Sequence, residues 1–154
     1  MIMIPILILQ IFLFPLTAGW IMTTWVDSRQ TLALKETVSH LGSSIQQVYS
    51  ALNHESISAG IVTNRLEVPP FIEGYAYTGN ATLRTALDPA LNSSKILDVT
   101  LRLNGGRIVA TTSVTLGQNV EWQNSTFMSN STFASIIANK QSNGTILMFF
   151  GGAA

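Results

Sequence analysis

The chain has 154 residues, eight basic and eight acidic, no cysteine, and a formal net charge of zero. The absence of cysteine excludes disulfides, thiolate catalysis and cysteine metal sites together. The near-neutral balance leaves no electrostatic footprint for nucleic acid and no charge with which to hold an anionic bilayer. Only 10% of residues are charged, so Ser, Thr, Asn and Gln must supply most of the polar surface.

Met1 to Val26 carries no charged residue, and a run this long reads as membrane-spanning or assembly-forming rather than as a core helix. As a helix it extends roughly 39 Å, enough to cross a hydrocarbon layer with some tilt. A secretory signal peptide fits it poorly: there is no basic stretch at its start, the apolar part is too long, and an amphipathic segment follows with no cleavage-like break. Pro5 falls near the first turn and is tolerated there. Pro15 lies inside the helix, removes one ladder hydrogen bond and predicts a kink. Such a proline favours a helix packed on other helices over one merely surrounded by lipid. Trp20 and Trp25 serve equally as interfacial anchors or as large packing residues.

From Asp27 the composition turns polar but the helix need not stop. Leu34, Val38, Leu41, Ile45, Val48 and Leu52 recur at alternating spacings of four and three, a one-sided apolar stripe on a 3.6-period helix. Gly42 is the only breaker. Residues 2 to 54 therefore read as one long kinked helix of roughly 80 Å. The first half, 1–26, is apolar all round, and the second, 27–54, buries one stripe. His40 and His54 are the only histidines; with no carboxylate pair nearby they read as solvated helix residues, since a metal site needs three or four converging ligands.

Beyond Ser56 the pattern becomes strand-like. Ile57 to Val68 leads to Pro69-Pro70, which prohibits a helix or a central strand there. Gly74 to Thr78 is aromatic and β-prone, with Tyr75 and Tyr77 expected on one face. Residues 79–95 read as a loop with a marginal helical turn around Leu83 to Leu87, closed by Asp88-Pro89. The clearest hairpin is Ile96 to Gly117. Leu97, Val99, Leu101 and Leu103 alternate with polar residues, and the chain reverses at Asn104-Gly105-Gly106. Its apolar face predicts an antiparallel sheet lying on the Leu34–Leu52 stripe. Asn119 to Trp122 reads as a short strand or turn, 123–132 as a polar loop, Phe133 to Ile137 as an apolar patch, and Thr145 to Phe150 as a central strand.

The expected fold is α+β: a long kinked N-terminal hydrophobic helix (1–54) packed against a C-terminal antiparallel β-sandwich or barrel-like domain (57–154). Five Asn-X-Ser/Thr triplets begin at Asn80, Asn92, Asn124, Asn130 and Asn143. All follow residue 79 and predict N-linked glycans on an extracellular surface. Catalytic patterns are missing: there is no nucleophile elbow, phosphate-binding loop or dinucleotide loop. Glu67 and Glu73 flank the Pro-Pro turn and could face each other, but a general acid/base pair also needs a cleft and converging partners. No enzyme, cofactor or metal role is expected.

An apolar opening running straight into an amphipathic helix and then a sequon-rich β-domain resembles the archaeal type IV pilins and archaellins. The segment Leu66-Glu67-Val68-Pro69-Pro70-Phe71-Ile72-Glu73-Gly74 looks like the strand and turn that follow the helix in many archaeal pilin-like surface proteins. The resemblance implies a lollipop-shaped subunit made with a short basic leader, cut by a membrane peptidase and handed to a pilus assembly machinery. It waits in the membrane before polymerising with copies of itself. By that analogy the polymerisation helix carries Ile4, Pro5, Leu7, Ile11, Phe12, Phe14, Pro15, Trp20 and Trp25, and the stripe from Leu34 to Leu52 attaches the β-domain. Many bacterial relatives have a glutamate at the fifth mature position; Pro5 stands here, which argues for the archaeal branch or a non-polymerising relative. An adhesion pilus is the first expectation. An archaellum filament and a single-pass anchored surface protein are alternatives. A binding module would instead need an aromatic-lined pocket around Tyr75, Tyr77 or Trp122.

Overall fold

A computed structural model describes residues 3–86 and 94–152, with side chains from Pro5 onward. One helix, α1 (Met3–Leu52), runs through Pro15 unbroken and stops two residues short of the expected end. Eight strands follow: β1 (Gly60–Arg65), β2 (Tyr77–Thr85), β3 (Lys95–Leu103), β4 (Val109–Leu116), β5 (Val120–Trp122), β6 (Thr126–Met128), β7 (Ser135–Lys140) and β8 (Ile146–Gly151). They form two four-stranded sheets, ordered β1-β7-β8-β5 and β4-β3-β2-β6. All pairings are antiparallel except the short β5–β8 pair. The coarse expectation of an α+β chain with one long helix and antiparallel-rich sheets therefore holds.

The amphipathic half of α1 lies against β4 and β3. Leu34, Leu41 and Ile45 are fully buried, and Val38, Val48 and Leu52 nearly so. They share one core with Leu97, Val99 and Leu101 of β3 and with Ile136, Ile146 and Met148 of the other sheet. Burial of each large aliphatic side chain contributes about 1.5–3 kcal/mol, so the stripe is what fastens helix to sheets. Gly42 marks the closest approach. A Cβ there would lie 3.0 Å from the Thr112 methyl and 3.1 Å from a Val114 methyl, so the residue that looked like a helix breaker is the one that lets β4 approach.

Four expectations need correction. Residues 79–85 are not a loop with a helical turn but the body of β2, paired along its length with β3. Ala81, Leu83 and Arg84 favour helix locally, and the sheet overrides that preference. Residues 87–93, with Asp88-Pro89 and the sequon at Asn92, lie outside the described residues. Tyr75 and Tyr77 do not share a face: Tyr77 is buried and Tyr75 exposed, because Glu73 and Gly74 at positive φ close a tight turn bridging Ile72 to Tyr75. The polar loop 123–132 contains β6, held on β2 by Phe127, which fills the space above Gly79. Finally, the patch at Phe133 to Ile137 is not uniformly apolar surface; Phe133 is exposed while Ile136 is buried in β7.

Strand register fixes the two ends of the β-domain. Gly60, Lys140, Ile146 and Val120 align at the far end, where α1 finishes. Arg65, Ser135 and Gly151 mark the other end. Tyr77, Leu103 and Met128 cluster at that same end of the second sheet. There the helix leaves the domain, forming a neck.

Candidate functional site: the exposed apolar helix and its neck

Ahead of Gln30, the first buried helix residue, no side chain from Pro5 to Arg29 is buried. Leu7, Ile11, Phe12, Phe14, Trp20 and Trp25 all point into open surroundings, and Pro5 and Pro15 are exposed beside them. Ile4 lies in the helix, outside the described side chains. This is the one described helix long and apolar enough to cross a membrane, and none of its most apolar window is buried. An apolar patch of this extent on an isolated chain marks a surface that something else covers.

The helix is chemically ready for an apolar surrounding. Thr17 donates its hydroxyl to the Leu13 and Phe14 carbonyls, each at 3.0 Å. Thr23 and Thr24 donate to the carbonyls of Gly19 and Trp20 at 3.0 and 2.9 Å, and Ser28 and Thr31 do the same one turn on. Hydroxyls satisfied by their own backbone carry little cost into hydrocarbon or a helix bundle. The open points are the Gln10 amide and the Ile11 carbonyl, which Pro15 cannot reach with an N–H. Both sit in a shallow notch with Leu7, Phe14, Pro15 and Thr17.

At the neck, Arg29 joins helix to β-domain. Its guanidinium lies 3.2 Å from Glu73 and stacks 4.9 Å from the centre of the Trp25 ring. Behind this pair, Pro69 and Pro70 are pinned from the domain. The Tyr77 hydroxyl donates to the Pro69 carbonyl at 2.5 Å, and Ser129 donates to the Pro70 carbonyl at 2.7 Å. Ser129 also accepts from the Tyr77 amide at 2.9 Å. Burial pushes the Tyr77 phenol above the ordinary tyrosine range. The Pro-Pro segment thus runs beside the helix as a fixed strap, with Glu67 and Glu73 both lining a groove that also holds Ala33, Glu36, Thr37 and His40.

The sequons differ in presentation. Asn80 is exposed on the outer face of β2, and Asn124, Asn130 and Asn143 are exposed on loops. Asn143 accepts from the Thr145 amide at 2.9 Å, a local Asx-type turn. The three aromatic residues suggested for a binding pocket do not converge. Tyr77 is in the core, Tyr75 is at the neck turn, and Trp122 packs edge-on against Phe150, 4.9 Å away. Among the described residues no three of His, Cys, Asp and Glu are grouped to hold a metal ion.

Sequence reasoning placed the stripe and the apolar face but missed Lys140 and Asn119, which fasten the far end. Lys140 donates to the Leu52 and His54 carbonyls, and Asn119 donates to Asn53 and accepts from Tyr49. Nothing local distinguishes these polar residues from the many on the surface. Comparison with known protein families, curated proteins and solved structures finds no match to this chain.

Proposed function

We propose that this protein is the repeating subunit of an extracellular filament of the archaeal type IV pilus kind. Subunits polymerise through the apolar half of α1, with the β-domains facing outward. The observation that carries this is the division of α1 at Gln30: beyond it one stripe is buried in the subunit's own core, and before it none of the described side chains, Pro5 to Arg29, is buried. A helix apolar on all sides must be covered by lipid or by copies of itself. A near-neutral surface limits repulsion between stacked copies, and contacts between unlike patches generate open helical polymers.

In this reading the membrane holds the subunit before assembly, a leader peptidase and assembly machinery act on it, and glycans occupy several of the sequons. The chain acts as a structural adhesion element and performs no catalysis. The same apolar helix also supports a single-pass anchored surface protein that forms no long filament. Electron microscopy of native cell-surface preparations separates the two. Filaments containing this chain, lost on deletion of residues 1–26, are expected; detergent-soluble monomers without filaments would leave the anchor reading in its place.

A further inference from the structure

Exposed large apolar side chains of the β-domain are not spread evenly. Phe71 and Tyr75, 52% and 51% exposed, lie on the loop that reaches the neck through the Glu73–Arg29 pair. Val109, Met128 and Phe133 are exposed as well, and the strand register puts them at the same end. Toward the far end the loops carry Asn53, His54, Glu55, Gln118, Gln141 and Asn143. Among the described residues Ile61, on β1, is the large apolar residue exposed there. The exposed large apolar side chains described for the β-domain thus gather at the base, where Arg65, Arg102 and Arg107 are exposed beside them.

The depth of that base follows from the helix. As a helix, the uncharged run from Met1 to Val26 spans roughly 39 Å, which a tilt fits to the roughly 30 Å hydrocarbon thickness of a bilayer. Trp25 then falls at the hydrocarbon edge, where tryptophan and tyrosine concentrate. Arg29 lies one turn, roughly 6 Å, further on, inside the headgroup layer. Arg29 contacts both the Trp25 ring and Glu73, and the Tyr77 and Ser129 bonds to Pro69 and Pro70 hold the strap to the domain, which places the loop bearing Phe71 and Tyr75 in that same layer.

We propose that the base of the β-domain, centred on Phe71 and Tyr75, is a lipid-interface contact that seats the domain on the bilayer surface while α1 is inserted. This rests on the membrane-inserted stage of the function proposed above. The ligand class is the headgroup and upper acyl region of a lipid bilayer, recognised by aromatic side chains. Asn130 sits at the same end, its neighbour Ser129 bonded to Pro70, and a glycan there would hold the base off the lipid. Asn130 is accordingly the sequon that stays bare.

The absence of cysteine makes the test clean. Full-length Phe71→Cys, Tyr75→Cys, Ile61→Cys and Ala18→Cys variants are each labelled with an environment-sensitive dye and reconstituted in phosphatidylcholine vesicles carrying nitroxide lipids. The Ala18 label reports insertion of the helix. With that label quenched by deep nitroxides, quenching of the Phe71 and Tyr75 labels by shallow nitroxides is expected to exceed that of the Ile61 label at least threefold. Equal quenching at Phe71 and Ile61 overturns the proposal, and shielding of Phe71 only at high protein density, without lipid quenching, replaces lipid with a second copy as the occupant. An unquenched Ala18 label overturns the inserted-helix stage itself, and the seating with it. Glycan at Asn130 on membrane-extracted native protein, found by mass spectrometry of the peptide, also overturns the seating.

Discussion

The ammonium of Lys140, on β7, donates to the Leu52 carbonyl at 2.8 Å and so caps the last turn of α1 from the opposite sheet. The helix has no basic residue in its own last turn, so its open carbonyls and the negative end of its dipole are answered by tertiary contact. A second bond to the His54 carbonyl at 3.2 Å extends the cap past the helix end. Lys140 is itself buried, and a buried cation needs such partners.

Lys140→Met keeps the stem and removes the cap. Because hydrogen bonds from a charged donor contribute about 1.5–3 kcal/mol each in net terms, and the Leu52 carbonyl loses its donor at a buried position, a loss of about 3 kcal/mol or more is expected. Denaturant unfolding of the full chain in detergent, followed by near-ultraviolet circular dichroism, measures it. A midpoint unchanged from wild type would show the cap to be idle.

Gly42 tests the helix–sheet distance. Gly42→Leu places a large side chain against Thr112 and Val114 at the point of closest approach. Overpacking of this kind costs about 1–3 kcal/mol, more than the roughly 1 kcal/mol that removing a helix glycine returns. Net destabilisation is expected by thermal unfolding. Gly19, with nothing within 4 Å of a built Cβ, is the control: Gly19→Ala leaves the β-domain transition in place.

These two positions show what the sequence could and could not convey. The stripe from Leu34 to Leu52 was legible because helix periodicity and burial coincide, and the β3–β4 hairpin because alternation and Asn104-Gly105-Gly106 agree. The apolar face of α1 was legible from the lack of charge alone. Strand β2 was not, since its Ala81-Thr82-Leu83-Arg84 core has helix-compatible composition and only pairing with β3 decides it. Lys140, Asn119 and Ser129 were not, because the partners described above lie 52 to 88 residues away. The neck was half legible: Pro69-Pro70 signalled a rigid turn, but the Arg29 link to Glu73 joins residues far apart in sequence.

Acid should weaken the β4-β3-β2-β6 sheet through Asp98. Arg84 donates to it at 2.6 Å, and this bond holds the carboxyl below its usual range against the opposing effect of burial, with the Ser113 hydroxyl assisting. A carboxylate depressed in the folded state stabilises above the unfolded value, about 3.9, and that contribution is lost as pH falls through the folded value. Asp98→Asn should therefore lower stability at neutral pH and flatten its fall below about pH 4. Unfolding midpoints of both proteins between neutrality and strong acid give the comparison; parallel curves would remove Asp98 from the account.

Deleting residues 1–29 asks whether the two halves of α1 are separable. The first buried helix residue is Gln30, and the core contacts begin with Ala33 and Leu34. The deletion therefore removes the Arg29–Glu73 pair at the neck but no core side chain. An exposed ion pair contributes about 0–1 kcal/mol, and loss of the exposed apolar face removes the surface that drives association. The expected product is a soluble monomer by analytical ultracentrifugation, with a single cooperative thermal transition. By contrast, Leu41→Ala in the same truncated chain should lower stability by about 2–5 kcal/mol, because Leu41 is fully buried between helix and sheets. A truncated chain that aggregates or melts without cooperativity would mean that residues before Gln30 hold the domain together, and that the apolar half is part of the fold rather than a face built for another partner.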